Sequence, residues 1–194
     1  ISPGDEVIVP GFGFLSAANI AIQMGAKPVF AEVDSETWCM NSTSIEKCLS
    51  SKTKAIVPVH TYGNVCEMDG IMELAYEKKI PVIEDAAEAF GSKYKGKCAG
   101  SIGEMGTFSF QSTKTITTGE GGMVVTNDKE LSERMFLYRN HGMLRKTYYW
   151  HELAGHNFRF TNLQAALGCA QLGHLDEIAK ERKRVHKTYK RVLE

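Results

Sequence analysis

Lys114 stands in FSFQSTKTITTGEGG, residues 108 to 122, where an apolar, strand-like run gives way to hydroxyl residues and glycines. An amine there has three chemical uses: a point charge for a phosphate, a solvated surface cation, or a nucleophile held near an aldehyde. For an isolated lysine the surface use is the commonest. Asp85 ends the run IPVIED, and a carboxylate at a strand end costs free energy unless a cation or a hydrogen-bond donor meets it. Asp is equally a favoured helix N-cap, and AAEAFG follows it. Ser109 lies in TFSF, five residues before Lys114, and Thr115, Thr117, Thr118, Gly119, Gly121 and Gly122 come after the lysine. Hydroxyls and glycine amides donate without bulk and let a backbone approach a phosphate.

Together these residues match one cofactor. A pyridoxal 5'-phosphate (PLP) site needs a lysine to form an imine, an acid to keep the pyridine nitrogen protonated, and donors for the phosphate. Lys114, Asp85 and Ser109 can supply all three. The acid matters because a protonated ring draws electrons from the substrate's Cα and lets the α-proton leave. The lysine must spend part of its time neutral to act as a nucleophile.

The elements that must position these groups alternate. EVIVP, KPVFAEVD, KAIVPVH and IPVIED read as strands, with helices expected from Ser16 to Met24, after a Thr43/Glu46 capping box, and from Met68 to Lys78. The strands are apolar throughout, as a sheet covered by helices on both faces requires. In such a mostly parallel sheet, ligands bind beyond the carboxyl ends of the strands, where Asp85 lies. GTFSF and GGMVVTN are two further strand-like runs enclosing the lysine loop. Asn127 with Glu130 is expected to cap a helix through Tyr138, and Thr161 with Gln164 to cap one over NLQAALGCAQL. Residues 139 to 160 show neither period, and a connection that long usually serves function or a partner.

Composition sets the limits. The chain has 194 residues, 43% of them hydrophobic, enough for one domain with a sizeable core. Twenty-three basic residues balance twenty-three acidic ones, which argues against nucleic acid as a partner. KERKRVHKTYKR reads as the solvated side of an amphipathic helix with Leu175, Ile178, Val185, Tyr189 and Val192 on its other face. No apolar run approaches the roughly 20 residues needed to cross a bilayer, so no membrane partner is expected, and the cytoplasm is the expected location. Cys39, Cys48, Cys66, Cys98 and Cys169 are scattered and read as reduced, partly buried hydrophobes. No metal site is expected, because His141, His151 and His156 have no zinc-like spacing; they read as substrate or interface contacts. His60, in PVHTYG, reads as a satisfied structural histidine, while Arg159 suits either an anion or a plain salt bridge. The chain lacks an initiator Met and stops within a helical pattern, so a piece of a longer protein, truncated at both ends, is expected.

GDEVIVPGFGFLSAANIAIQMGAKPVFAEVD, TKAIVPVHTYGNVCEMD, VIEDAAEAFGSKYKGKCAGSIGEMGTFSF and KTITTGEGGMVVT together resemble the sugar-nucleotide aminotransferases of PLP fold type I, the DegT/StrS group. The resemblance runs from Pro3 to about Leu172 in the family's order. YYWHELAGHNFRFTNLQAALGCAQL is most similar to members that aminate C4 of a GDP-linked 4-keto-6-deoxymannose, though relatives acting on UDP- and dTDP-sugars share much of the pattern.

The resemblance implies an α/β fold with a mainly parallel central sheet flanked by helices. Residues 1–172 would be the PLP-binding large-domain core, and 173–194 the start of a long helix leading to a small domain. It implies that Lys114 forms the imine, Asp85 faces the pyridine nitrogen, Glu88 approaches the ring hydroxyl where relatives often carry Gln or His, and Ser109 binds the phosphate. Phe14 would stack on the cofactor's face, and Asn157 would cross to the phosphate of a neighbouring subunit, making a homodimer with shared active sites. The implied partners are a nucleotide sugar and glutamate as amino donor. Family members that act instead as 3-dehydratases carry histidine at the lysine position, so Lys114 favours transamination; an inert sensor or assembly subunit keeping the fold is the other alternative. The family's upstream phosphate-binding turn and downstream small domain are absent from these residues, so weak PLP binding and little turnover are expected of them alone.

Overall fold

The structure is a computed structural model and describes residues 1–193. It forms two compact units: Ile1–Phe108 with Met123–Arg159, and Ser109–Gly122 with the chain from Phe160 onward.

In the first unit, β1 (Glu6–Pro10) pairs in parallel with β2 (Lys27–Ala31) and β3 (Thr53–Ile56), setting Ile8 beside Val29 and Ile56. β4 (Ile83–Asp85) pairs in parallel with β7 (Met105–Ser109), and β8 (Gly122–Val125) follows β7. Isolated parallel bridges, Ile56 to Val82 and Val59 to Asp85, join β3 to β4. The spatial order is therefore β2-β1-β3-β4-β7-β8, the mainly parallel sheet that the sequence predicts.

The pleat sends successive side chains to opposite faces. Ile8 and Ile56 enter one apolar cluster with Met40, Ile45 and Val82, joined by Met68 and Ile71 of α3 (Met68–Lys78). Val7, Val9, Ala55 and Val57 enter another with Ala18 and Ala21 of α1 (Ser16–Gln23). Both faces are covered, which is why these strands carry no polar alternation. Burying one such Val or Ile side chain contributes about 1.5–3 kcal/mol.

Two helix starts differ from expectation. α2 (Ser42–Glu46) is capped by Asn41, whose side chain accepts the Ser44 amide at 2.9 Å while Ser44 Oγ accepts the Asn41 amide at 3.1 Å. The box thus lies two residues before Thr43/Glu46. α4 (Lys129–Arg139) is capped by Asp128, which accepts the Leu131 amide at 2.9 Å, not by Asn127. Where cap-capable residues adjoin, the one whose backbone is still extended takes the role; Asn41 and Asp128 both are. The short hairpin of β5 (Lys93–Tyr94) and β6 (Lys97–Cys98) was not expected from the sequence. It turns on Lys95 and Gly96, both at positive φ as a tight two-residue hairpin turn demands.

The irregular stretch begins one residue later than expected, since Arg139 closes α4; residues 140–160 contain neither helix nor strand and are tied by the bridges Asn140 to Asn157 and Met143 to His151. The second unit contains α5 (Asn162–Gly173), with the expected Thr161/Gln164 capping box, and α6 (Leu175–Leu193). α6 is amphipathic as expected, with Val185, Tyr189 and Val192 exposed. No helix among the described residues is long and apolar enough to cross a membrane.

Candidate active site

Asp85 is the last residue of β4, at the carboxyl end of a parallel strand, and it is half-buried. Its backbone is fixed on both sides: its amide donates to Pro58 O at 2.8 Å and its carbonyl accepts the His60 amide at 3.0 Å. Oδ1 accepts the Ala87 amide at 3.0 Å, and Ala86 to Phe90 form turns. The cap alternative therefore fails: AAEAFG, directly after Asp85, is not helical. Glu88 is also half-buried, and its Oε2 accepts the Tyr62 amide at 2.8 Å, holding Tyr62 at φ 54°, in the left-handed region that a non-glycine residue seldom adopts. Phe14 is 83% exposed, which removes the alternative that it is a core residue.

Sequence reasoning passed over Glu84. Both its side chain and that of His60 are fully buried, with Oε2 and Nε2 2.9 Å apart. Oε2 also accepts the Gly100 amide, and Oε1 the amides of Ile102 and Gly103. Burial pushes this carboxyl up, but His60 and the three amides outweigh it and hold the group below its ordinary value. His60 Nδ1 accepts the Cys66 amide at 3.3 Å, so the ring proton belongs on Nε2, facing the carboxylate. His60 is thus the satisfied structural histidine expected. The available signal was an acid inside the apolar run PVIED, since a buried charge must be paired. Cys39 and Cys66 are buried beside this pair's loop, whereas Cys98 and Cys169 are exposed rather than partly buried.

In the second unit, Phe110 closes the lysine loop. Its amide donates to Gly121 O at 2.8 Å, and its carbonyl accepts the Thr118 amide at 2.9 Å. Lys114 lies between, half-buried, its amide donating to Gln111 O at 3.0 Å. The surface-cation reading of Lys114 loses ground to this burial. Ser109 Oγ accepts the Gln111 amide at 3.3 Å, leaving the hydroxyl proton as a donor. The later hydroxyls do other work. Thr117 Oγ1 donates to Phe110 O and Thr118 Oγ1 to Glu120 O, while the Gly119 amide donates to Thr117 Oγ1. These groups build the loop and are not held ready for a phosphate.

α5 holds the same loop through residues that sequence reasoning missed. Gln171 accepts the Thr117 amide and donates to the Thr117 carbonyl, both at 3.0 Å. Gln164, besides its capping role, donates to Glu120 O at 3.0 Å. Between them, a Cβ on Gly168 would come 3.0 Å from Thr118 Cγ2, so glycine lets helix and loop approach closely. Two glutamines seven apart flanking a glycine on one helical face were the available signal.

Asn157 is exposed, and its Oδ1 accepts Arg159 Nε at 3.1 Å, a contact that replaces the ion pair considered for Arg159. His156 stacks on Phe158, and His151 Nδ1 lies 2.8 Å from His141 O. Among the described residues no cluster could hold a metal ion.

The DegT/DnrJ/EryC1/StrS aminotransferase family model matches residues 1–194. The chain belongs to this family. It is 49% identical over 191 residues to GDP-perosamine synthase of Escherichia coli O157:H7, covering 98% of this chain and 52% of that protein. Its identity to GDP-perosamine synthase of Caulobacter vibrioides is 47% over 193 residues, again covering 52% of the relative. Among solved structures, Helicobacter pylori PseC, an aminotransferase involved in the biosynthesis of pseudoaminic acid, superposes with a TM-score of 0.94 at 35% identity, over all of this chain and 53% of that one. The chain spans about half the length of the curated relatives it matches. Family membership accounts for the order of strands, lysine loop and capped helix found above.

Proposed function

We propose that this chain is the cofactor-binding core of a PLP-dependent aminotransferase that converts a 4-keto-6-deoxy nucleotide sugar, GDP-linked, to its 4-amino product, with glutamate as donor. The observation that carries the reading is the lysine at position 114, half-buried in a loop tied at Phe110 and along α5. Its identity favours amine transfer over 3-dehydration, because an imidazole passes protons but cannot capture an aldehyde.

The residues present fit PLP by the chemistry of their donors and acceptors. PLP, when bound, supplies an aldehyde and an electron-withdrawing ring. Lys114 would hold the aldehyde carbon through Nζ and then carry a proton between substrate carbon and cofactor. The Asp85 carboxylate, an acceptor at a strand's carboxyl end, would hold the proton on the ring nitrogen. Glu88 would face the ring hydroxyl, and Ser109 would donate its uncommitted hydroxyl proton to the phosphate. The exposed ring of Phe14 would stack on the cofactor. Asn157, exposed in the irregular 140–160 stretch, would serve the site of a second copy, giving a homodimer.

Residues 1–172 would form the large-domain core and 173–194 the first part of a helix leading to a small domain. Cytoplasmic location suits the free cysteines found among the described residues, since thiols stay unpaired in reducing compartments.

The test is an absorbance spectrum of the full-length protein with PLP, before and after glutamate. A yellow solution that bleaches on glutamate addition and recovers with keto sugar is expected. A Lys114→Ala protein that keeps full transaminase activity would overturn the assignment.

A further inference from the structure

His60 bonds to two consecutive residues of β4 by different means. Its amide donates to the Asp85 carbonyl at 3.0 Å, and its ring meets the Glu84 carboxylate at 2.9 Å. Because side chains alternate along a strand, Glu84 and Asp85 point to opposite faces of the sheet. The Glu84 backbone is held too, since Thr107 Oγ1 donates to its carbonyl at 3.1 Å. The carboxylate then gathers the amides of Gly100, Ile102 and Gly103, pinning the segment that runs back into β7.

That segment runs alongside β4, with Gly100 near its Asp85 end and Gly103 near its start. A Cβ on Gly100 would come 2.5 Å from the Phe108 ring and 3.2 Å from Ala86 Cβ, and one on Gly103 would come 2.7 Å from Val82 O. With four donors on two oxygens, the buried carboxylate has no spare freedom. The peptide carrying Asp85 inherits that rigidity. A fully buried ion-paired acid adds little net stability to a strand that already has apolar neighbours, so stability alone does not account for the satisfied pair.

We infer that His60 and Glu84 are positioning residues for Asp85, setting the direction of its carboxylate and so the protonation of a pyridine nitrogen held there. This rests on the reading that Asp85 faces the cofactor's ring nitrogen. The test uses the full-length, PLP-loaded enzyme and the variants Glu84→Gln, His60→Met, His60→Gln and Asp85→Asn. Four quantities are read: PLP dissociation constant, the pH midpoint of the visible cofactor band, kcat against KM for glutamate, and melting temperature of the cofactor-free protein.

Gln at position 84 offers one acceptor oxygen where four donors converge, and Met at position 60 keeps bulk but offers Glu84 no donor. Both are expected to move the pH midpoint and lower kcat by ~10–100-fold, the scale on which small misplacements of a reacting group act, with KM for glutamate nearly unchanged. Gln at position 60 can still donate to Glu84 and should restore most of both. If Glu84→Gln does not fold, the two His60 variants decide alone. Variants that lower only the melting temperature, while Asp85→Asn still collapses kcat, would overturn the inference and leave the reading of Asp85 standing. An Asp85→Asn enzyme with unchanged kcat and band would overturn both.

Discussion

The end of β4 and the Lys114 loop hold their candidate site residues in opposite ways. Asp85 sits on a strand whose neighbours, Pro58, His60 and Thr107, come from distant parts of the chain, and the residue beside it is buried and charged. The Lys114 loop is closed by Phe110 and its own threonines, then clipped to one helix by two glutamine side chains. An acid that must point one way throughout a reaction gains from a rigid strand end. An amine that must swing between cofactor and substrate gains from a loop braced at its ends and left short of full burial.

The sharpest way to break this comparison is chemical. Asp85→Asn in the full-length enzyme should lower kcat by about 10²–10³-fold, the scale of losing one preorganised electrostatic partner, measured by steady-state amine transfer. Equal activity in wild type and variant would place the acid elsewhere. Ile71→Ala removes a fully buried side chain from the cluster beneath the sheet. It should cost about 2–5 kcal/mol by denaturant titration, and Asp85 should lose its order along with the rest of the first unit.

Gln171→Ala touches only the other region. It strips Thr117 of two hydrogen bonds and should cost about 1–3 kcal/mol, with faster hydrogen exchange at the loop amides and unchanged exchange along β4. Exchange that rises equally in both places would show that the two regions open as one.

The smallest effect is in acid. The Glu84 carboxyl is held below its ordinary value in the fold, so its contribution is fully present above the unfolded-state pKa and disappears as pH falls through the lower native one. Glu84→Gln should therefore flatten the acid limb of the stability profile, seen in melting temperatures as pH falls below the ordinary carboxylate range.

Legibility differed between the regions for physical reasons. β1 to β4 and α3 could be read because doubly covered strands are apolar runs and α3 follows its period closely. Asp85, Lys114 and Ser109 could be singled out as candidates because an acid at a strand end and a lysine among hydroxyls and glycines carry chemistry by residue type alone. Asn41 and Asp128 could not be chosen over Thr43 and Asn127 as caps, because neighbouring residues are chemically equivalent until the backbone leaves its extended form. Glu84 was hidden by its neighbour: of two adjacent acids, only the fold shows which is buried. Gln171 reads as an ordinary polar position on a helix and Gln164 as a cap alone, and their distant partners, Thr117 and Glu120, reveal the further use.

By itself, the order of residues determined the layered α/β architecture, the apolar strands and the chemical candidates, since periodicity and residue type act locally along the chain. Only the tertiary structure decided that His60 grips two residues of β4, that the threonine hydroxyls are spent inside their own loop, and that α5 clips that loop. Those outcomes depend on which groups meet after the backbone has closed, and a hydrogen bond between residues dozens of positions apart leaves no periodic trace in either.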